Sequence, residues 1–297
     1  VVAENRDPKV FWHQPTNKWV LVVYEKDGHS IYTSPNLKNW QRESHIANFF
    51  ECPEFFELPV DGNAKNTRWV MYGASGTYMI GSFDGKTFTP ESTKKLYTTG
   101  ALYAAQTFND IPASDGRRIQ IGWGRISQPG MPFGQMMLFP TELTLKTTPD
   151  GIRLFSNPVR EIELLKKNEQ KWDVLTIQEA NEKLGQYGPG ELLRIKAKIV
   201  LEDFWAGLDL GGNTILKYDA NFNLINEIPY FTDNPASMEL SMELLIDRTS
   251  VEVFIDGGKY SYSLERKPAQ NAKGLVFTGN PGLKVQSLEI QTLNSIW

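Results

Sequence analysis

A strand-like run appears three times in this chain at intervals of fifty positions, and such spacing restricts it to folds built from similar, repeated units. Lys18-Trp19-Val20-Leu21-Val22-Val23-Tyr24 is followed by Arg68-Trp69-Val70-Met71-Tyr72-Gly73, and then by Arg118-Ile119-Gln120-Ile121-Gly122-Trp123. Turn residues precede each run, at Pro15-Thr16-Asn17, Asn63 to Thr67 and Ala113 to Gly116, so each reads as a strand. Ahead of the runs lie Asp7-Pro8-Lys9-Val10-Phe11, Cys52-Pro53-Glu54-Phe55-Phe56 and Ala105-Gln106-Thr107-Phe108, while Ser30 to Trp40 and Tyr78 to Phe88 close the first two units. Several strands per unit, with aromatics in register, is the pattern of β-propeller blades. A plain antiparallel sandwich with chance similarity is the competing reading. In a propeller the first strand of each blade lines the central channel. Asp7 and Glu51 then fall within one register position of each other, and their carboxylates converge on one funnel.

The second half reads differently. Thr141 to Lys146 forms one more strand, followed by a turn at Thr148-Pro149-Asp150-Gly151, and Pro158 to Leu165 has apolar residues spaced like a helical turn. The polar stretch from Lys166 to Gly190 holds one strand, around Trp172 to Gln178. From Glu191 the chain alternates apolar and polar residues, over Leu193 to Ile199 and Met238 to Ile246, as strands with one wet and one dry face do. Asp247-Arg248-Thr249-Ser250 turns the latter strand back into Val251 to Ile255. Further strands are expected at Gly207 to Leu210, Thr214 to Tyr218, Tyr260 to Leu264, Gly274 to Thr278 and Val285 to Leu293. The expected organisation is all-β: about three propeller blades over 1–156, a linker over 157–170 and a two-sheet β-sandwich over 171–297. The sandwich shows no convergent polar cluster, which favours a structural role over sugar binding.

The candidate chemistry lies in Phe49-Phe50-Glu51-Cys52-Pro53-Glu54-Phe55-Phe56-Glu57-Leu58-Pro59. Glu51 stands among aromatics and beside the chain's only cysteine. In an apolar pocket its carboxyl would hold a proton near neutral pH, as a general acid must. The alternative is a rim residue paired to an arginine. Other chemistries are disfavoured by composition. One cysteine excludes an intramolecular disulfide framework, and His13, His29 and His45 form no close pair, so no metal site and no cofactor is expected. A net charge of -4 gives no field for nucleic acid or an anionic membrane, and no apolar run reaches the roughly 18 residues of a spanning helix. The eight Trp, eleven Tyr and sixteen Phe favour β-structure and carbohydrate-facing surfaces.

These residues resemble the glycoside hydrolases of the invertase, levanase and exo-inulinase group, family 32. Arg6-Asp7-Pro8 is similar to that family's Arg-Asp-Pro motif and Glu51-Cys52-Pro53 to its Glu-Cys motif. Tyr103 to Phe108, Phe139 to Leu143 and Asp247 to Phe254 resemble further blocks, so the resemblance runs essentially end to end. It implies a five-bladed propeller followed by a sandwich, and an enzyme releasing fructose from levan, inulin or sucrose with retention. It also implies a secreted or periplasmic location, although the start of this sequence, Val-Val-Ala-Glu-Asn-Arg-Asp-Pro, has no signal-peptide pattern and reads as the middle of something.

By resemblance Glu51 is the acid/base residue and Asp7 the transition-state stabiliser that binds fructose hydroxyls; a turn carboxylate capping backbone N–H groups is the plainer reading of Asp7. Arg6, Cys52, Tyr103, Gln106 and Trp123 are the candidate substrate-binding residues. Arg6 serves equally as a structural ion-pair partner, Cys52 as an inert thiol filling the acid's pocket, and Trp123 and Trp40 as core. Gly100-Ala101-Leu102 stands where relatives carry an aspartate and an aromatic before the tyrosine, and Gly122-Trp123-Gly124 has a glycine where bulkier residues are frequent. The family's nucleophile belongs to a Trp-Met-Asn-Asp-Pro-Asn-Gly-like segment, and none occurs here. The expectation is therefore a chain lacking the N-terminal blades that carry it. Such a chain would be impaired alone, with open blade edges that pair with a second chain or with another copy. The competing reading is a non-catalytic fructan-binding or scaffold protein. A sialidase-like or arabinanase-like propeller is disfavoured by the joint match of both halves.

Overall fold

Short apolar runs separated by turns pair with their sequence neighbours, and in the first half of the chain this produces ladders of four antiparallel strands. The computed structural model describes residues 5–188, 190–200, 205–219, 221–230, 239–267, 269–270, 274–279 and 282–296. The first ladder comprises β1 (Arg6–His13), β2 (Lys18–Glu25), β3 (Gly28–Ser34) and β4 (Gln41–Ala47), in that order. The second comprises β5 (Glu54–Val60), β6 (Asn63–Tyr72), β7 (Thr77–Phe83) and β8 (Phe88–Pro90), with β9 (Lys95–Leu96) also on β7 and β10 (Thr98–Gly100) following. The third runs β11 (Leu102–Thr107), β12 (Arg118–Gly124), β14 (Thr141–Thr148), β15 (Gly151–Pro158), with β13 (Met136–Met137) also on β12. The fifty-residue repeat is thus the second strand of each ladder, and the segments ahead of it are the first strands β1, β5 and β11. All-β, propeller-like architecture is what the sequence pattern led us to expect.

The second ladder explains the aromatic density. Phe55 is buried in a cluster with Val20, Val22, Ile31, Phe49, Met71 and Phe88. Its sequence neighbour Phe56 belongs with Leu58, Val60, Val70, Tyr72, Tyr78, Leu143, Leu145 and Leu154. Successive side chains of a strand point to opposite faces, so β5 is covered on one side by the first ladder and on the other by the third. Around Phe55 the rings of Trp69, Phe83 and Phe88 stand at 4.7, 4.9 and 5.4 Å, tilted or edge-on as aromatic quadrupoles prefer. His29, on β3, is fully buried and stacked on Phe49 at 4.9 Å and 18°, and among the described residues neither ring nitrogen has a hydrogen-bond partner of ordinary geometry. Burial, partly offset by the nearby carbonyl oxygens of Glu51 and Phe50, pushes its pKa down to about 4.

The chain divides into two compact units, Val1–Arg125 with Gln135–Pro158, and Ile126–Gly134 with Val159–Trp297. The second unit is sandwich-like. One of its sheets places β24 (Tyr260–Glu265), β23 (Ser250–Ile255), β22 (Glu239–Ile246), β17 (Leu193–Val200), β26 (Lys284–Leu293) and β16 (Lys166–Thr176) side by side. The other orders β21 (Ile228–Pro229), β20 (Leu224–Ile225), β19 (Asn213–Asp219), β18 (Trp205–Leu210) and β25 (Leu275–Gly279). The expected hairpin at Asp247 is present, closed by Asp247 N–H to Ser250 O at 2.9 Å. Met238, the expected first residue of β22, lies outside the described residues. The helical turn expected near Pro158 is a 3-10 turn over Arg160–Leu165.

Two features differ from the sequence reading. β16 begins at Lys166 rather than near Trp172, and Ile177–Leu184 is an α-helix, α1. Thr176 caps that helix: its hydroxyl accepts from Glu179 N–H at 3.2 Å while the Glu179 carboxylate accepts from Thr176 N–H at 2.8 Å, the reciprocal pattern of a capping box.

Two stability outcomes follow. Phe55→Ala, which empties the contact between the first two ladders, should cost about 3–5 kcal/mol; denaturant unfolding measures this, and a loss below about 1 kcal/mol would contradict the packing described. Because the His29 pKa is depressed in the folded chain, the unfolded chain takes up more protons below about pH 6.5. Stability is therefore intact above that pH and falls as pH drops toward 4, by up to ~3 kcal/mol. The melting temperature of a His29→Phe variant should fall less between pH 7 and 4.5 than that of the wild type.

Candidate active site

The candidate residues sit where the first strands of the ladders begin, and the backbone there is irregular. Asp7 is in the left-handed region at φ 60°, Glu51 and Cys52 at 23° and 46°, and Ala104 at 48°. Such values are uncommon for residues other than glycine. Pairing of β1 with β2 slips between Arg6 and Lys9, and pairing of β11 with β12 slips between Tyr103 and Gln106. A bulge re-aims the side chains beside it. Pro8 and Pro53 follow Asp7 and Cys52 directly, and proline, having no N–H to give a ladder, is tolerated at such interruptions.

Re-aimed in this way, residues from three strand starts meet. The Arg6 guanidinium donates to Glu51 Oε1, and the Tyr103 hydroxyl donates to Glu51 Oε2. Asp7 Oδ2 accepts from the Cys52 amide at 3.2 Å and lies 3.6 Å from Cys52 Sγ. Arg6 Nε stands 3.8 Å from Asp7 Oδ2, and the guanidinium lies over the Tyr24 ring at 5.0 Å. Tyr24 in turn meets Phe50 edge-on at 5.5 Å. Tyr103 faces Trp123, its ladder partner, edge-on at 6.0 Å and carries the Arg125 guanidinium over its ring at 4.7 Å. Trp123 is 40% exposed and so forms an open wall. Of the sequence candidates, Arg6, Asp7, Glu51, Cys52, Tyr103 and Trp123 are brought together. Gln106 is exposed beyond the bulge, opposite Ile121, and Trp40 serves its own turn by donating to Leu37 O at 3.2 Å. Tyr24, Phe50 and Arg125 escaped the sequence reading; the alternation of β2 and the aromatic run before Glu51 were the available signals.

The electrostatics correct one expectation. Glu51 was expected to hold a proton because of apolar surroundings. Instead its pKa lies below the ordinary value, because the Tyr103 hydroxyl and then the Arg6 guanidinium stabilise the carboxylate by more than burial opposes it. With a side chain still 20% exposed, it is ionised in the free site. Its partners answer in kind: burial and the hydrogen bond to Glu51 push Tyr103 up to about 12. The Cys52 thiol is also pushed up to about 12, by burial first and the Asp7 charge second, so it is a neutral thiol at ordinary pH. That agrees with an inert, space-filling role. The assembly presents carboxylate oxygens of Asp7 and Glu51 that can accept hydrogen bonds, and Glu51 can exchange a proton with whatever oxygen replaces solvent there.

Comparison with known proteins bears on both halves of the chain. Residues 1–158 match the glycosyl hydrolases family 32 N-terminal domain, and residues 212–292 match the family 32 C-terminal domain. A levanase of Bacillus subtilis (strain 168) is 34% identical over 98% of this chain and 51% of its own length. An extracellular exo-inulinase of Aspergillus niger is 27% identical over 98% of this chain and 65% of its own. The chain thus spans about half to two-thirds of the length of these relatives. Among solved structures, exo-inulinase from Aspergillus awamori superposes with a TM-score of 0.79 at 23% identity, covering 99% of this chain and 68% of that one. Fructan 1-exohydrolase IIa from Cichorium intybus gives 0.73 at 20%, covering 98% and 72%. The expectation that the family's nucleophile-bearing N-terminal part is missing is overturned by the domain match over 1–158. Both domains of the family are represented, and the chain belongs to glycosyl hydrolases family 32.

Proposed function

We propose that the protein is a β-fructosidase that releases fructose from levan, inulin or sucrose with retention of configuration, acting outside the cytoplasm as its extracellular exo-inulinase relatives are named to do. The observation that carries this reading is the convergence of Arg6, Asp7, Glu51, Cys52 and Tyr103 from three strand starts on one cluster of carboxylates and donors.

In the first step Glu51 gives a proton to the leaving oxygen while a second carboxylate bonds to the anomeric carbon, and in the second the Glu51 carboxylate takes a proton from the water that displaces that carboxylate and frees fructose. The free site holds Glu51 ionised, which suits the second step directly. For the first step, the incoming glycosidic oxygen and the loss of water around the carboxyl raise its proton affinity. Asp7, fixed by the Cys52 amide, accepts from fructose hydroxyls, and those bonds strengthen as the ring flattens toward an oxocarbenium ion. Arg6 and Tyr103 orient the two oxygens of Glu51, and Trp123 offers a face to the sugar.

A second reading rests on the same ionised Glu51. With both oxygens accepting from protein donors, the site suits holding sugar hydroxyls, and the chain would then bind fructans with little or no turnover.

Glu51→Gln should lower kcat on a β-fructoside by about 10²- to 10⁴-fold while binding of fructo-oligosaccharide, read by calorimetry, stays within severalfold. An unchanged kcat removes Glu51 from the chemistry, and wild-type binding without any turnover establishes the second reading. Tyr103→Phe removes the leading hydrogen bond that holds the Glu51 pKa down, so that pKa rises. The alkaline limb of the kcat/KM profile, where the protonated acid is lost, should move to higher pH. A limb that stays fixed or moves to lower pH would contradict the assignment.

A further inference from the structure

Beneath the cluster lies a second set of polar side chains, almost entirely sealed from water. Lys9 is 7% exposed, Glu54 0% and Thr107 5%. Lys9 Nζ stands 2.9 Å from Glu54 Oε1 and donates to Thr107 O at 3.0 Å, while the Thr107 hydroxyl donates to Glu54 Oε2 at 2.6 Å. Arg118, on β12, reaches Thr107 Oγ1 at 3.5 Å and lies over the Phe56 ring at 4.9 Å. Burial raises the Glu54 pKa, opposed by Lys9 and Thr107.

The three residues come from β1, β5 and β11, one from each ladder, just past Asp7, Glu51 and Tyr103 respectively. β1 is the end strand of a sheet that, among the described residues, no ladder joins to β5, and β11 shares a sheet with β5 only by way of β12 and β14, whose pairing with β5 is Leu145 with Val60 at the far end of that strand. Backbone pairing therefore does not hold the three strand starts directly against one another. A buried ion pair is poor at stabilising a fold, because desolvation offsets its attraction, but it penalises any arrangement that leaves one charge alone. We propose that Lys9, Glu54 and Thr107 form a buried clasp that positions β1, β5 and β11 so that Asp7, Glu51 and Tyr103 meet. They are positioning residues, and the proposal rests on the β-fructosidase reading of the site above them.

Cys52, the chain's only cysteine, reports on this spacing without any enzyme assay, since Asp7 contacts both its amide and its thiol. Lys9→Met combined with Glu54→Gln removes both charges and leaves neither unpaired. Alkylation by iodoacetamide under native conditions, followed against pH, should be about tenfold faster at pH 9 than in the wild type, equivalent to one pKa unit. The apparent thiol pKa should fall from about 12 toward the ordinary thiol value, with the melting curve unchanged. An unchanged rate and thiol pKa in the folded double variant overturn the clasp. Should the double variant fail to fold, Thr107→Val decides, since it keeps both charges and loses the hydroxyl with its bond to Glu54 and its longer contacts to Lys9 and Arg118: about threefold faster alkylation, a fraction of that pKa unit, supports the proposal, and no change overturns it. Binding of fructo-oligosaccharide by the wild type without any turnover would sink the β-fructosidase reading and leave these rates as they are, so the two failures are separable.

Discussion

The adjacent residues Phe55 and Phe56 are buried on opposite faces of the second ladder, and that single constraint determines where the candidate site falls. A strand covered on both sides cannot slip by one residue without exchanging its two buried sets. Here a slip would also send Glu57, exposed on the same strand, into the core. With β5 fixed, the loop ahead of it has one place to go, and Glu51 and Cys52 emerge at the strand's beginning. The first and third ladders are held against the same strand by those same rings, so the starts of β1 and β11 are carried to it.

What meets there is a charge balance more than a hydrophobic pocket. A carboxyl kept neutral by burial needs hydrogen-bond partners but no charged one. Glu51 has Arg6 on one oxygen and Tyr103 on the other, which fixes the plane of the carboxylate and draws its pKa down. On the proposed β-fructosidase reading, proton donation then depends on a substrate that displaces water and alters this balance. Burial first, and the Asp7 charge second, meanwhile raise the thiol pKa of Cys52. The cysteine therefore stays uncharged between two carboxylates, where a thiolate would add a third negative charge.

Much of the fold was legible because it follows from local chemistry. The three second strands repeat as sequence, the β5 aromatics mark two-sided burial, and Asp247 to Ser250 closes a hairpin. The helix α1 was overlooked although Thr176 and Glu179 spell a capping box, because the polar stretch around it offered no apolar periodicity. The start of β16 was missed for a related reason: its residues are all exposed or intermediate, so no alternation marks it. The ionisation of Glu51 could not be read locally, since its partners lie 45 and 52 positions away. The absence of one short motif also misjudged the N-terminal domain. A match distributed over residues 1–158 averages over many positions and outweighs a seven-residue pattern.

Backbone strain separates the site from the rest of the chain. Elsewhere left-handed residues are mostly those that tolerate the conformation at turns, such as Asn17, Asn48, Asp61, Asp110, Asn223, Asn226 and Asp256, whose side chains can bond their own backbone. Ala104 has no such side chain, and it lies inside β11 between Tyr103 and the buried Ala105. Nothing local to alanine favours that conformation, which costs about 1–3 kcal/mol at each such position. The cost is sustained by what surrounds it: the Tyr103 hydroxyl bound to Glu51 on one side and Thr107 bound to Glu54 on the other. In a regular strand Tyr103 and Thr107, four residues apart, would share one face, and one of these two contacts would be turned away. The bulge at Ala104 is what lets a single short strand reach the open cluster with Tyr103 and the sealed one with Thr107.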